Sequence, residues 1–194
     1  MTDVISTSTT RDHNGLQIPT AGTFALDPAH TRVGFVARHL MVSKVRGHFT
    51  DVTGEIVIAE DPAQSSAHAT MQAASITTGV EQRDGHLRSG DFLEIEKYPT
   101  LEFRSTGLTA NGGNEFTLRG HLTIKGVTHP VDLAVEFEGV TRSPWGKDVL
   151  GFSAKTEIDR EQWGMTWNQA LETGGVMVSK KITIEIEGEA IRQD

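Results

Sequence analysis

From about residue 21 the chain alternates apolar and polar side chains with a period of two, the mark of strands that turn one face to a core and the other to water. Val33, Phe35, Ala37 and His39 share one such face, with Arg32 and Arg38 opposite. Ala67, Ala69, Met71, Ala73 and Ser75 share a second against Thr70 and Gln72, and Leu101, Phe103 and Ser105 a third against Glu102 and Arg104. The rhythm strengthens in the second half. Phe116, Leu118, Gly120, Leu122 and Ile124 stand against Glu115, Thr117, Arg119, His121, Thr123 and Lys125, and Val131, Leu133, Val135 and Phe137 follow. Two more segments carry Leu150, Phe152, Ala154, Thr156 and Ile158, then Val176, Val178, Lys180, Ile182, Ile184 and Ile186. With Thr23–Asp27 and Gly54–Ala59 this predicts eight to nine strands. Asn111-Gly112-Gly113-Asn114 and Ser143-Pro144-Trp145-Gly146 are the turn signals between them.

One stretch, residues 78–95, breaks the rhythm. Thr78, with Glu81 three residues on, has the form of a capping box opening a short helix, on which Val80, Arg83 or Asp84, and Leu87 would share a face. A further turn follows from Ser89 with Phe92 and Leu93, and a short helical turn is expected at Arg160–Gly164. Residues 1–20 are rich in Ser, Thr and Asp and are expected to be a flexible N-terminal tail or a loosely docked extension, leaving residues 21–194 as one domain. Many antiparallel strands, few helices and no βαβ period give an all-β class, a closed barrel or a sandwich. The small residues on the inward faces (Ala37, Ala67, Ala69, Ala73, Ser75, Ser105, Gly120, Ala154) favour a barrel of about eight strands. Eight strands so lined leave a lumen for one ligand unless the helical segment fills it.

Composition removes several functions. Eighteen Lys and Arg against 26 Asp and Glu give a net charge of −8, so no basic surface exists to neutralise phosphates, and no nucleic-acid partner is expected. There is no cysteine, which excludes disulfides, thiolate nucleophiles and Cys-based metal sites and is compatible with a reducing compartment. The N-terminal residues lack the basic and apolar regions of a signal peptide, and no apolar run is long enough for a transmembrane segment, so a cytoplasmic protein is expected. No GxSxG, GxGxxG, P-loop, HExxH or EF-hand motif occurs. The eight histidines show no ligand spacing, so neither a metal nor a cofactor is expected.

The candidate site residues follow from the faces. His39, placed inward near a strand end, is either a core histidine bonded to backbone or a contact to a ligand head group. Arg83, Asp84, His86 and Arg88 crowd one short helix, where they either tie it to neighbouring strands or meet ligand oxygens. Trp163 and Trp167 either plug a barrel end or rim the mouth of an apolar cavity. Phe35, Phe49, Phe92, Phe103 and Phe152, with Leu87, are core or cavity lining.

Taken together in order and spacing, several strings resemble the YceI-like family of polyisoprenoid-binding, or lipid-binding, proteins. They are Leu26-Asp27-Pro28-Ala29-His30-Thr31, Val33-Gly34-Phe35 with Arg38-His39, and Gly47-His48-Phe49. There follow Ser75-Ile76-Thr77-Thr78-Gly79, Arg83-Asp84-Gly85-His86-Leu87-Arg88-Ser89-Gly90-Asp91-Phe92 and Tyr98-Pro99-Thr100-Leu101-Glu102-Phe103. Gly120-His121-Leu122-Thr123-Ile124-Lys125-Gly126 and Arg160 with Trp163-Gly164-Met165 complete the set. The resemblance covers Phe24 to about Ala190. It implies an extended lipocalin-like antiparallel barrel holding a long isoprenoid or other amphiphilic lipid, in many members as a homodimer. It also singles out His39, Arg83, Asp84, His86, Phe92 and the tryptophan segment. Three features depart from the family: Thr31 stands where serine is common, Ser179-Lys180-Lys181 replaces acidic residues before the last strand, and many relatives are exported.

The function expected is a non-catalytic binding or carrier protein for a prenyl chain, isoprenoid quinone or similar long-chain amphiphile. The alternatives are an enzyme on the same cavity, with His39 or His86 as base oriented by Asp84, and an interaction module.

Overall fold

The period-two segments pair edge to edge into a sheet that closes on itself. The computed structural model describes residues 8–193. Its strands are β1 (Thr10–His13), β2 (Leu16–Pro19), β3 (Gly22–Leu26), β4 (Arg32–His39), β5 (Ser43–Phe49), β6 (Val52–Ile58), β7 (Ser66–Gln72), β8 (Ile76–Thr77), β9 (Thr100–Gly112), β10 (Glu115–Ile124), β11 (Val127–Arg142), β12 (Asp148–Asp159) and β13 (Lys181–Arg192). Helix α1 (Glu81–Arg88) lies between β8 and β9.

β3 and β4 lie end to end along β13, which meets Leu26 at Ala190 and Arg32 at Glu187. β6 and β5 run along that pair, and β7 and β8 along theirs, so three staves of the barrel are each split in two. β9, β10, β11 and β12 continue the meander, and the pairing of β12 with β13 closes it. The result is an eight-stranded antiparallel barrel with one short helix, as the alternation predicts.

Three inward phenylalanines lie over glycines. Any side chain at Gly47, Gly120 or Gly188 would collide with the ring of Phe35, Phe103 or Phe152 respectively. Each ring therefore rests against a neighbouring stave where that stave has no side chain, which keeps bulk out of the barrel axis.

Ahead of the barrel, in the stretch expected as a flexible tail or a loosely docked extension, β1 and β2 form an antiparallel hairpin. Arg11 fastens it to the Ala59 and Glu60 carbonyls and to the Glu60 carboxylate, and Ile18 is buried. Residues 1–7 lie outside the described residues. The helix starts at Glu81 with Val80 at its N-cap and no side-chain cap, because the Thr78 hydroxyl is occupied elsewhere, donating to Asp84 at 2.5 Å and accepting from Arg83 Nε at 2.7 Å. Val80, expected on the packed face, is exposed. The last strand begins at Lys181 instead of Val176. Val178 makes only an isolated bridge to His39, and the Ser179 side chain receives the Arg38 amide at 3.0 Å.

Candidate functional site

The inward side chains enclose two apolar cavities of about 190 Å³ each. The first lies toward β2, lined by Ile18 and Pro19 and by Ile56, Leu118, Phe137, Leu150 and Phe152, among others. The second lies toward α1, lined by Phe35, Phe49, Leu87, Phe92, Ile124, Ile158 and Met165, among others. The same staves serve both: β11 gives Val131 to the second and Val135 and Phe137 to the first, and β12 gives Ile158 to the second and Phe152 to the first. The cavities meet at a waist of Val33, Ala69, Phe103, Leu133 and Ile186, which lines both. At the waist Phe103 lies over Gly120.

Of the residues named from sequence, Phe35, Phe49, Leu87, Phe92, Phe103 and Phe152 line the cavities. The other six do not. Trp163 is 1 % exposed and plugs the barrel end, its Nε1 donating to the Leu122 carbonyl at 3.1 Å and its ring meeting His129 edge-on. Trp167 packs against Phe92 with the rings tilted by 52°, and His86 lies edge-on to Trp167 at 4.6 Å and to Phe92 at 5.1 Å. His39 is half-buried at the rim, in its bridge to Val178.

Asp84 and Arg83 hold the helix to the sheet. Asp84 is 2 % exposed and accepts from the Thr77 hydroxyl and from the Thr78 hydroxyl and amide. Burial pushes its carboxyl up, but those bonds and the nearby Arg88 outweigh it and leave the group below the ordinary carboxylate value. His86 pairs with Asp91 at 2.9 Å, so Asp84 does not orient it as the enzyme alternative required.

Arg160 is a wall residue of the second cavity that the face reading missed. Continuing Leu150, Phe152, Ala154, Thr156 and Ile158 by one step lands on Arg160, which is 2 % exposed. Its Nε donates to the Ser179 carbonyl at 2.9 Å and its Nη1 to the Met165 carbonyl, and its guanidinium stands 5.8 Å from the centre of the Phe92 ring.

Among the described residues one group could offer three metal ligands, Asp27, His30 and Glu189, whose ligating atoms lie within 4.8 Å of one another. It sits at the break between β3 and β4, and none of the three lines a cavity. The Asp27–His30 hydrogen bond of 2.7 Å holds the carboxyl below and the imidazole above their ordinary values. The same Asp27 receives the Ala29 amide at 2.9 Å, so the pair folds this turn.

The chain matches the YceI-like domain over residues 24–190. It belongs to that family. A YceI-like relative, UPF0312 protein SA2479 of Staphylococcus aureus (strain N315), is 40 % identical over 171 residues, covering 86 % of this chain and 95 % of its own. Among solved structures, Burkholderia cenocepacia BcnA superposes with a TM-score of 0.74 at 22 % identity, over 84 % of this chain and 98 % of that one. A polyisoprenoid binding domain from Saccharophagus degradans, implicated in plant cell wall breakdown, superposes with a TM-score of 0.68 at 14 % identity, over 90 % of this chain and 100 % of that one. The same barrel fold is thus found in structures that share as little as 14 % of their residues with this chain. No helix among the described residues is long and apolar enough to cross a membrane.

Proposed function

We propose that this protein is a non-catalytic carrier that holds a polyisoprenoid, or another amphiphile with a long apolar tail, inside the barrel. The pair of apolar cavities that share the wall residues of the waist supports the reading. Each buried methylene contributes about 0.8 kcal/mol, so a tail lying along both cavities gains affinity along its whole length with no polar contact needed from the wall. The neighbour from S. degradans, named for binding polyisoprenoid, supports the same class of ligand. On this reading Phe35, Phe49, Leu87, Phe92, Phe103 and Phe152 touch the tail. His39, Arg83, Asp84, His86, Trp163 and Trp167 keep the end of the second cavity in shape. The reading also takes the carrier to act in the cytoplasm and as a homodimer, to be checked by cell fractionation and by sedimentation.

The direct test is organic extraction of the purified protein followed by mass spectrometry, with a titration of a prenyl alcohol against tryptophan fluorescence. Trp145, 89 % exposed on the β11–β12 turn, is first replaced by Phe so that the signal comes from Trp163 and Trp167. Saturable quenching that is lost in Phe103→Asp, with near-ultraviolet dichroism retained, is expected. Absence of both quenching and copurified lipid overturns the carrier.

A further inference from the structure

The β4–β5 turn is made of residues that a turn disfavours. Seven large apolar side chains are exposed among the described residues, and three of them are consecutive: Leu40, Met41 and Val42, the last 81 % exposed. They form a three-residue loop, closed by the Val42 amide on the His39 carbonyl at 3.1 Å. Leu40 and Met41 stand at φ 51° and 60°, where Asn and Gly are at ease and a bulky side chain is strained. Strain of this kind points to a role outside the fold. None of the three lines a cavity, so their apolar surface is not part of the lumen wall.

The charge around the loop is opposite to that of the chain. The net charge is −8, yet residues 28–50 contain no Asp or Glu and hold Arg32, Arg38, Lys44 and Arg46. Arg38 and Lys44 pair across the base of the loop, both exposed, and neither has a carboxylate partner among the described residues. Arg46, further down the ladder, meets Glu185. Lys180 and Lys181, next to the Ser179 that receives the Arg38 amide, are held by Glu161 and Glu157. The adjoining segment 168–178, whose Met177 carbonyl takes the Leu40 amide, brings one acid, Glu172. Three side chains are too few for a stable protein interface, which takes about 800 Å² from each partner, and a symmetric contact with a second copy would set cation against cation. An apolar wedge flanked by cations suits a lipid surface, where the wedge enters the acyl boundary and the cations meet headgroup phosphates. The loop also projects from the rim of the second cavity, since His39 bridges Val178, and Ala37 and Val178 line that cavity.

We propose that the β4–β5 loop docks this protein on an anionic lipid bilayer, with Leu40, Met41 and Val42 below the headgroups and Arg38 and Lys44 on their phosphates. The inference rests on the carrier reading, to which it adds the surface where cargo is exchanged and the end of the barrel turned toward it.

The experiment floats the full chain with vesicles of phosphatidylcholine alone and of an equimolar mixture with phosphatidylglycerol, and titrates the same proteins with a prenyl alcohol. Flotation with the mixed vesicles is expected. Leu40→Asn with Met41→Gly and Val42→Ser, which relieves the turn, is expected to weaken it at least about tenfold through lost apolar contact, while the alcohol binds as before. Arg38→Gln with Lys44→Gln is expected to weaken binding to the mixed vesicles about fivefold per cation and to leave binding to the neutral ones unchanged. Trp145→Ser, which removes the exposed ring of the β11–β12 turn, is expected to leave flotation unchanged. Undiminished flotation of the loop variant overturns the inference, as does equal flotation with both vesicles or a loss caused by Trp145→Ser. A dimer that the loop variant dissociates, with no flotation, overturns it in favour of a second copy. No flotation while the alcohol still binds overturns the inference alone. Flotation without alcohol binding overturns the carrier reading alone, and failure of both overturns both.

Discussion

At the end of the barrel beside the first cavity, Asp148 is 5 % exposed and its carboxylate is held by two arginines, Arg142 at 2.9 Å and Arg192 at 3.2 Å. Arg192 also packs its guanidinium over Phe24 and reaches the Thr20 and Ala21 carbonyls, so it ties β13 to the chain just ahead of β3. At the opposite end two charges are buried at least as deeply but are not joined. Asp84 is satisfied by threonine hydroxyls and an amide, and Arg160 by carbonyls alone. A buried charge closed on an opposite one is accounted for by the fold itself. A buried charge held only by neutral dipoles, with one donor left over, asks what else it meets. The contrast separates an end whose buried carboxylate is closed on arginines from an end whose buried charges take their hydrogen bonds from uncharged groups.

The comparison can be broken by measurement, and the largest effect belongs to the closed cluster. Asp148→Ala removes the buried carboxylate that Arg142 and Arg192 share and is expected to cost about 3–5 kcal/mol, read from the urea midpoint. A negligible cost would show that this cluster is ornamental and erase the difference between the ends. Asp84→Ala removes the acceptor of three hydrogen bonds and is expected to cost about 2–3 kcal/mol at neutral pH. Because the folded protein holds Asp84 below its free value of about 3.9, its contribution is fully present above that pH and drains away as the pH falls through the lower folded value. Urea titrations at a series of pH values should therefore show the gap between wild type and Asp84→Ala narrowing below about pH 4, and a constant gap contradicts the assignment. The smallest effect is a gain. Leu40 and Met41 both adopt positive φ, 51° and 60°, at the β4–β5 turn, where bulky residues are strained. Replacing them together, Leu40→Asn with Met41→Gly, is expected to add about 1–2 kcal/mol in the same titration, and a loss would mean that the Leu40 amide bond to the Met177 carbonyl depends on these side chains.

Much of this molecule was legible in its sequence because a barrel wall is periodic. Residues 131, 133, 135 and 137 alternate without interruption, and each of those positions lines the lumen. The small inward residues announced space, and Ala67, Ala69 and Ala154 do border it. What sequence could not supply was pairing at long range. Nor does spacing rank local rivals: Thr78 fits a capping box, yet its hydroxyl is claimed by Asp84 and Arg83, six and five residues on. The glycines that accommodate Phe35 and Phe152 stand directly opposite them on neighbouring strands, so the match exists only once the register is known. Arg160 opens the short helical turn expected at Arg160–Gly164, and the period of the strand before it does not fix where a turn residue's side chain goes. The hairpin at Thr10–Pro19 has no clear alternation to announce it, and Ile18 and Pro19, the few large apolar groups there, line the first cavity.

The narrowing at Phe103 has a consequence for selectivity. On the carrier reading, guests of steadily increasing length do not meet a steadily increasing resistance. Those that stop short of the ring occupy one compartment, and those that pass it must be slim enough for the gap the ring leaves while it rests on its glycine bed before any further methylene is sheltered. Discrimination by size would then come as a threshold, like a gauge with a single mark, set by one side chain halfway along the bore.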